Sequence, residues 1–238
     1  MAPASEVSPA LGRPSWGAQV LTVLQKDLAI EARSGEVVVT SGFFAVLVVV
    51  LASLSFYQGR AGSQHVAAGV IWLAVAFSAV LSLGKTWQRE REESALDGLL
   101  IAPLSRSAIF AGKALGVFLF LIAIEIVVIP LAALFFALDL SKVGLGLALI
   151  ALATTPGVAA SGTLFGSMTV RTQARDLLLA TVLFPLLAPT LLAAVAGSRA
   201  LLDGASLGEL VDYLKLMLVF DVVFISGGLV MFELLIER

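Results

Sequence analysis

Six long apolar stretches constrain the fold of this chain more than any other feature of its sequence. Each has about the 20 residues that an α-helix needs to cross the roughly 30 Å hydrocarbon core of a bilayer. A segment inside that core has to satisfy its own backbone hydrogen bonds, which favours helices. The sequence therefore predicts an all-α polytopic membrane protein. Its six transmembrane helices are expected at about residues 37–57, 66–84, 113–137, 143–166, 177–197 and 214–236.

The composition agrees with a membrane protein and excludes several other classes. Mean hydropathy is +1.03 and charged residues make up 13% of the chain, about half the fraction that is usual in soluble domains. A net charge of −2 provides no basic surface for nucleic acid. The chain has no cysteine, which excludes disulfides and thiolate metal sites. We find no nucleotide-binding motif and no nucleophile with a base, so no catalytic or metal site is expected.

Positively charged residues are distributed unevenly among the connections. Most Lys and Arg outside the spans lie in the N-terminal segment, in the second and fourth connections and at the C-terminus. The positive-inside rule then predicts that both termini and these connections are cytoplasmic. Trp87 is expected at the cytoplasmic interface of the membrane, as in an aromatic belt.

The N-terminal segment is expected to contain a tail and a surface helix. Residues 1–15 are rich in Pro, Ala and Ser and predict a flexible tail, whereas 16–238 form one transmembrane domain. The stretch 16–36 is too polar to span a membrane. Apolar side chains recur in it at every fourth position, at Trp16, Val20, Leu24 and Leu28. Most charged side chains, Asp27 and Glu31 among them, fall outside this stripe, which predicts an amphipathic helix on the membrane surface. A simple extension of the first span is the alternative.

The second connection, WQREREESALDGLLIAPLSR (87–106), has the densest run of charge in the chain. Ser94, with Asp97 three residues later, is a helix-capping signature, and Pro103 ends the predicted helix. Three leucines on one face make this segment amphipathic. Such a helix either fits a groove on a soluble partner or rests on the membrane surface. The candidate contacts for a partner are Arg89, Glu92, Glu93, Leu96, Asp97, Leu99 and Leu100.

Two of the carboxylates inside predicted spans lie well away from the span ends. Glu125 is near the middle of the third span and Asp221 is in the last. A charge in the membrane costs at least about 2.5 kcal/mol, so each side chain is expected to face protein or water or to be protonated. Either could make a polar contact in a translocation path or at a subunit interface. The alternative is a carboxyl group hydrogen-bonded to a neighbouring helix.

Helix breakers and closely spaced glycines occur in the spans. Proline removes a backbone donor and bends a helix, so the prolines are candidates for hinges, although they are also common packing features. The hinge candidates are Pro156, Gly157, Pro185 and Pro189. Two G-x-x-x-G spacings predict close helix approach, at Gly112 with Gly116 and at Gly162 with Gly166.

Residues 94–103 resemble the cytoplasmic loop after the second span of ABC-2-type permeases. In that loop a Gly-Thr/Ser-Leu-Glu-x-Leu-Leu pattern followed by Pro is frequent, and this chain departs from it at Ser94, Ala95 and Asp97. Further motifs agree with the haem exporter protein B family, which the chain resembles from about residue 16 onward. They are Lys26-Asp27 in the N-terminal helix, Gly69-Val70-Ile71-Trp72, Thr155-Pro156-Gly157, and Arg175 leading into Leu183-Phe184-Pro185-Leu186-Leu187-Ala188-Pro189.

The resemblance implies a six-span ABC-2 half-transporter in the bacterial inner membrane. Such a protein pairs as a homodimer and binds a soluble ATPase subunit, cytochrome c maturation protein A, through the loop helix, which would then be a coupling helix. It acts with the C and D proteins and the haem chaperone E. ATP is then bound by the partner and haem is a possible substrate, while this chain binds no cofactor itself. ATP hydrolysis would drive either haem export or release of the loaded chaperone. A permease for lipid, polysaccharide or drug, and a non-transporting scaffold, are the alternatives.

Overall fold

The computed structural model describes residues 14–56, 59–92, 98, 101–169 and 175–236. Within these ranges the chain forms helices joined by short turns, which confirms the predicted all-α class. The helices are α1 (Trp16–Ser34), α2 (Glu36–Ser55), α3 (Gly59–Glu92), α4 (Arg106–Phe135), α5 (Leu140–Thr169), α6 (Arg175–Leu202) and α7 (Val211–Ile236). The predicted tail lies almost wholly outside the described residues.

Helices α2 to α7 are each long and apolar enough to cross a membrane, which confirms the prediction of a multi-pass membrane protein with six spans. The apolar parts are Glu36–Ser55, Gln64–Glu90, Arg106–Phe135, Leu140–Met168, Thr181–Leu202 and Val211–Phe232. The second extends to Glu90 where residue 84 was predicted, and the third begins at Arg106 rather than at 113. Charged side chains in these end turns are paired, since Glu90 of α3 contacts Lys113 of α4 and Lys85 of α3 contacts Glu36 of α2.

The bundle has two distinct ends. At one end, here called the α1 end, α1 packs beside the end of α3 and the beginning of α4. The opposite end contains the connection between α4 and α5 and the one between α6 and α7. There the Gln64 side-chain amide donates to Ala137 O at 2.9 Å. Which end faces the cytoplasm stays a prediction, since no membrane is present in the structure.

Gly35 makes the sharp change of direction between α1 and α2. Its φ of 62° is in the left-handed region, where a glycine has no Cβ penalty. The Gly35 N–H donates to Glu31 O at 2.7 Å. The carboxylate of Glu31 reaches forward and accepts the N–H of Val38 at 2.8 Å, which caps one of the free amides at the start of α2. The turn at Gly35 and the bond from Val38 to Glu31 therefore join α1 directly to the beginning of the first span.

The two predicted glycine spacings coincide with close helix contacts. A Cβ added at Gly112 would lie 2.6 Å from Val23 Cβ on α1. On α5, Gly162 packs against Leu83 and Gly166 against Trp87, both on α3. Trp87 is fully buried there, so it packs between helices rather than against lipid, and its depth at the membrane interface stays a prediction. The glycine face of α5 leaves room for the indole between two helices.

The outward faces of α2 and α7 are apolar and exposed. Val39 and Leu54 on α2 are 67% and 72% exposed, and Val222 and Val230 on α7 are 66% and 70% exposed. Such surfaces would be costly in water but suit contact with lipid or another membrane helix. The buried charged residues described below lie on the inner faces of their helices.

Candidate functional site

The face that α1 turns towards the bundle contains charged side chains. Val20 and Val23 are buried on it, as are Asp27 and Glu31, at 7% exposure each, whereas Trp16 is half exposed. The prediction that Asp27 and Glu31 fall on the water-facing side is therefore wrong. Helical periodicity alone placed them outside the apolar stripe, because Lys113 and Arg89, which pair with them, are on other helices.

Asp27 belongs to a group of four charged residues, Lys26, Asp27, Glu90 and Lys113, called here the ion cluster, in which all but the partly exposed Lys26 are buried. Lys113 is 1% exposed, and its Nζ lies 3.0 Å and 2.9 Å from the two carboxylate oxygens of Asp27. It also contacts Glu90 Oε1. Lys26 Nζ lies 2.7 Å from the same Glu90 oxygen and 3.2 Å from Asp27 Oδ1.

The ion cluster is electrically balanced, with two cations and two carboxylates. A buried charge is tolerated only when it is paired and hydrogen-bonded. Burial alone would lower the pKa of Lys26, but the carboxylates of Asp27 and Glu90 outweigh it and raise that pKa above its ordinary value. The cluster joins three helices, since Lys26 and Asp27 lie on α1, Glu90 on α3 and Lys113 on α4.

A second set of ion pairs ties the last turns of α3 to the junction of α1 and α2. The Arg89 guanidinium donates to Ser34 Oγ at 3.0 Å and to Glu36 Oε2 at 3.2 Å, and lies 3.6 Å from Glu31 Oε2. Lys85 Nζ lies 2.7 Å from Glu36 Oε1. Arg89, a predicted contact for a soluble partner, is thus engaged inside the protein, and a contact with a partner stays a prediction.

A small cavity lies beside the ion cluster. It has a volume of about 20 Å³ and is bordered by Thr86, Glu90 and Lys113. Thr86 Oγ1 and Glu90 Oε2 have no hydrogen-bond partner within the described part of the chain. The cavity is large enough for one water molecule between these polar atoms.

Helix α1 also holds the other end of the charged connection. The backbone N–H of Ser105 donates to Gln19 Oε1 at 2.7 Å, and the Trp16 indole N–H donates to Ser107 Oγ at 3.1 Å. Ser105 in turn caps α4, because its Oγ accepts the N–H of Ala108. The connection therefore leaves α3 beside Glu90 and enters α4 beside Ser105, and α1 binds both points.

The predicted coupling residues lie between those two points. Glu92 is the last residue of α3. The other candidates fall outside the described residues: Glu93, Leu96, Asp97, Leu99 and Leu100. Their helix and its contacts stay predictions.

Glu125 and Asp221 are both buried against α5. Thr155 Oγ1 lies 2.7 Å from Glu125 Oε1, so Glu125 of α4 makes the contact with a neighbouring helix that was one of its two predicted roles. Asp221 of α7 is 5% exposed and packs against Gly157, where an added Cβ would collide with its carboxylate. Whether either residue contributes to a translocation path stays a prediction.

The hinge candidates lie inside helices that continue through them. Pro156 is within α5 and both Pro185 and Pro189 are within α6. At Gly157 an added Cβ would lie 2.6 Å from Phe220 Cδ1, so this glycine lets α5 and α7 approach closely. Pro130, which the sequence analysis did not single out, lies inside α4, and hinge motion at any of these positions stays a prediction.

An open pocket of about 550 Å³ lies at the opposite end and is bordered by His65, Arg199 and Asp203. His65 Nδ1 is 3.9 Å from Asp203 Oδ1, and the two side chains are 74% and 64% exposed. At this exposure the pair is screened by solvent. The described part of the chain offers His65 no further carboxylate or histidine to complete a metal site.

The geometry defines a helical multi-pass membrane protein in which a short N-terminal helix binds both ends of the charged connection between its second and third spans. Comparison with known families gives a specific assignment. A model of the family described as CcmB protein matches residues 18–231, nearly the whole chain. This chain therefore belongs to the CcmB protein family, as the resemblance in its motifs implies.

Individual relatives agree with the family match. Proteins named haem exporter protein B are similar to the chain in three bacteria. In Bradyrhizobium diazoefficiens the identity is 27% over 76% of this chain and 82% of the relative. In Rhodobacter capsulatus the identity is 29% over 71% of this chain and 78% of the relative. In Paracoccus denitrificans the identity is 29% over 77% of this chain and 83% of the relative.

Proposed function

We propose that this chain is the permease subunit of an ABC transporter-like complex that delivers haem for the maturation of c-type cytochromes. Its membership of the CcmB protein family and the printed name of its relatives, haem exporter protein B, support this function. The chain carries no ATPase of its own in this proposal. ATP is hydrolysed by a separate soluble subunit, and haem is the substrate or the cargo of a chaperone that the complex releases.

The observation that carries the proposal is the position of the ion cluster. It lies at the point where α3 leaves the bundle and enters the charged connection, and it joins that point to α1 and α4. Removing one partner of a buried ion pair costs about 3–5 kcal/mol. A force applied to the connection is therefore transmitted to α1 and α4 rather than absorbed by local separation of Glu90 from its partners.

In this mechanism the soluble ATPase grips the helix around Leu96 and Leu99 by helix-in-groove contact. Closure of the ATPase dimer displaces the connection. Helix α1 moves with it because α1 binds both ends of the connection, through Glu90 and through Ser105. The transmembrane helices then shift between two packings, a change that ATP binding biases by population shift. Bending of α5 at Pro156 and of α6 at Pro185 and Pro189 would allow these spans to move with α1.

The assembly and its location complete the proposal. The charge distribution supports an orientation with both termini and the α1 end in the cytoplasm. In this orientation the ion cluster is on the cytoplasmic side, where the ATPase subunit would bind. Two copies of this chain would pair in the bacterial inner membrane and bind cytochrome c maturation protein A. The C and D proteins and the haem chaperone E would be the further partners.

Binding of the ATPase can be tested at the connection. We expect the double variant Leu96→Asp with Leu99→Asp to insert into the membrane but to lose co-purification with the ATPase subunit. Leu207→Asp with Val211→Asp, at the opposite end, is the control, because both side chains are exposed and distant from the connection. Stoichiometric co-purification of the ATPase with the first variant would refute the coupling role.

Transport can be tested separately from binding. Proteoliposomes that contain only this chain and its ATPase are expected to transfer haem across the bilayer when ATP is supplied. Release of a haem-loaded chaperone without haem flux would instead identify the chain as a scaffold that transmits force. ATP-dependent flux of a lipid, polysaccharide or drug without haem would overturn the proposed substrate.

A further inference from the structure

A groove between α4 and α5 opens towards the membrane and plays no part in the mechanism above. Its volume is about 430 Å³ and its lining is almost entirely apolar. Ile126 and Leu152 form its rims and are 68% and 54% exposed. The one carboxylate in the lining is Glu125, which is 2% exposed.

The hydrogen bonds of Glu125 leave one oxygen for a ligand. Thr155 Oγ1 lies 2.7 Å from Glu125 Oε1 and 2.8 Å from Ala151 O. A hydroxyl group has one proton, so both contacts are made together when Thr155 donates to Ala151 and a neutral Glu125 donates to Thr155. Glu125 Oε2 then remains an acceptor, and it has no hydrogen-bond partner among the residues described.

The depth of Glu125 limits what can supply the missing donor. Glu125 is ten residues from the end of α4 at Phe135, or about 15 Å at 1.5 Å per residue, which is the middle of a hydrocarbon core of about 30 Å. Phospholipid headgroups do not reach this depth, and acyl chains have no donor. A side chain on a transmembrane helix reaches it readily.

One wall of the groove suits the approach of a helix. Gly144, Ala148 and Ala151 lie on one face of α5 and line the groove. A Cβ added at Gly144 would meet no atom of another helix within 4 Å, and its nearest neighbour, at 3.8 Å, is in its own helix turn. Small side chains let helix backbones approach closely in membranes, and polar groups add interhelical hydrogen bonds. The groove combines both features at one place.

We propose that this groove binds a transmembrane helix of another protein, which presents a hydrogen-bond donor to Glu125 at the middle of the membrane. The donor is a hydroxyl, an amide or an indole N–H, since the acceptor is a neutral carboxyl. The face of the partner helix that enters the groove is apolar, to match Ile126 and Leu152. This interaction does not depend on the ATPase or on haem.

The test uses the full chain in dioleoylphosphatidylcholine liposomes and two synthetic transmembrane peptides of about 20 residues. One Leu/Ala peptide carries a single central Asn, and the reference peptide carries Leu at that position. Because the chain has no cysteine, Lys142→Cys introduces one labelling site beside the groove for energy transfer to the peptide. We expect the Asn peptide to bind about 3- to 20-fold more tightly than the Leu peptide, the range of one interhelical hydrogen bond in a membrane.

Variants assign that preference to the groove. Glu125→Gln retains an acceptor oxygen and should keep the preference for Asn, whereas Glu125→Leu should abolish it. Ala148→Phe fills the groove and should weaken binding of both peptides. Val230→Phe is the matched control, because Val230 is 70% exposed on α7, and it should change neither affinity.

Three results would overturn the proposal: equal affinity for the two peptides, a preference that persists in Glu125→Leu, or retention of spin-labelled phosphatidylcholine in the groove while neither peptide binds. The last result would make the groove a lipid site. Unchanged binding of the Leu peptide to Glu125→Leu shows that this variant is folded, because that peptide makes no hydrogen bond with Glu125. None of these measurements involves haem transfer, so their failure leaves the proposed function intact.

Discussion

Lys113 of α4 and Asp27 of α1 form an ion pair of 2.9 Å, with side chains that are 1% and 7% exposed. The two residues are 86 positions apart in the chain. Glu90, near the start of the charged connection, contacts the same lysine. Three segments that are far apart in the sequence, α1, α3 and α4, therefore meet at the Lys113 ammonium group. The stability of their contact depends on this charge.

Loss of Lys113 should destabilise the protein strongly. Lys113→Met leaves Asp27 and Glu90 buried with one cation between them, and removal of one partner from a buried pair costs about 3–5 kcal/mol. We expect the free energy of unfolding, measured by SDS titration in dodecylmaltoside, to fall by about that amount. Adding Glu90→Gln to Lys113→Met restores charge balance and should recover a large part of the loss.

Lys142→Met is the control for that measurement. Lys142 pairs with Asp139 at 3.5 Å, but the two side chains are 80% and 53% exposed. Exposed pairs contribute little to stability, so no measurable change is expected. An equal loss in Lys113→Met and Lys142→Met would show that burial of the ion cluster does not matter.

Titration of Lys26 should make the stability of the contact between α1 and the bundle depend on pH in the alkaline range. The pKa of Lys26 is raised in the folded protein above its ordinary value of 10.5. The stabilisation from its charge is therefore complete below that value and is lost as the pH rises through the higher pKa of the folded state.

Two substitutions test this dependence. We expect the difference in unfolding free energy between the unaltered protein and Lys26→Met to be constant from about pH 7 to 10 and to decrease above the pKa of lysine, about 10.4 in unfolded chains. Lys26→Arg should resist the alkaline loss, because a guanidinium stays charged. A difference that already decreases near pH 8 would contradict a raised pKa.

Hydropathy was sufficient to predict the six spans, because each is a local property of about 20 residues. The ion cluster could not be predicted in the same way. Val20, Val23, Asp27 and Glu31 follow one another at spacings of three and four residues, so they also form a helical face. Periodicity favoured the more apolar stripe and assigned the carboxylates to water.

One signal of the cluster was present in the sequence. Lys113 is followed closely by the apolar run of the third span, where an unpaired charge is costly. A partner was therefore required, but its identity depends on how the chain brings α1 beside α4. The glycine pair Gly112 and Gly116 indicated that something packs closely on this face, although spacing could not show that it was α1.

Gly112 should tolerate no side chain. In Gly112→Ala the new Cβ would lie 2.6 Å from Val23 Cβ and 2.9 Å from Val20 O, so α1 has to move away from α4. Overpacking of this kind costs about 1–3 kcal/mol. We expect a decrease of that size in the free energy of unfolding, together with faster proteolysis within α1.

Gly69→Ala is the matched control for this glycine. Gly69 is also inside a helix, but an added Cβ there would meet nothing within 4 Å. Alanine has a higher helix propensity than glycine by about 0.8–1.0 kcal/mol, so Gly69→Ala should be neutral or slightly stabilising. Equal effects of the two substitutions would indicate that the close contact of Gly112 with α1 is not required.

The proposed transmission of force predicts a variant that binds the ATPase but does not couple to it. Glu90→Gln keeps the size of the side chain at the start of the connection and leaves Leu96 and Leu99 unchanged. It removes the charge through which Lys26 and Lys113 hold α3. Substitutions along a coupling network change the coupling by about 0.5–2 kcal/mol, so haem transfer per ATP hydrolysed should fall about 2- to 30-fold.

Glu209→Gln is the control for this coupling measurement. Glu209 accepts a hydrogen bond from Ser206 at 2.8 Å at the opposite end of the bundle, and has no contact with α1. Its transfer ratio should equal that of the unaltered protein, and both variants should co-purify with the ATPase to the same extent. If Glu90→Gln transfers haem with an unchanged ratio, α1 and α4 move without the ion cluster. Force would then pass through another contact. The best candidate is the hydrogen bond between Ser105 and Gln19 at the far end of the connection, because α1 binds the connection there as well.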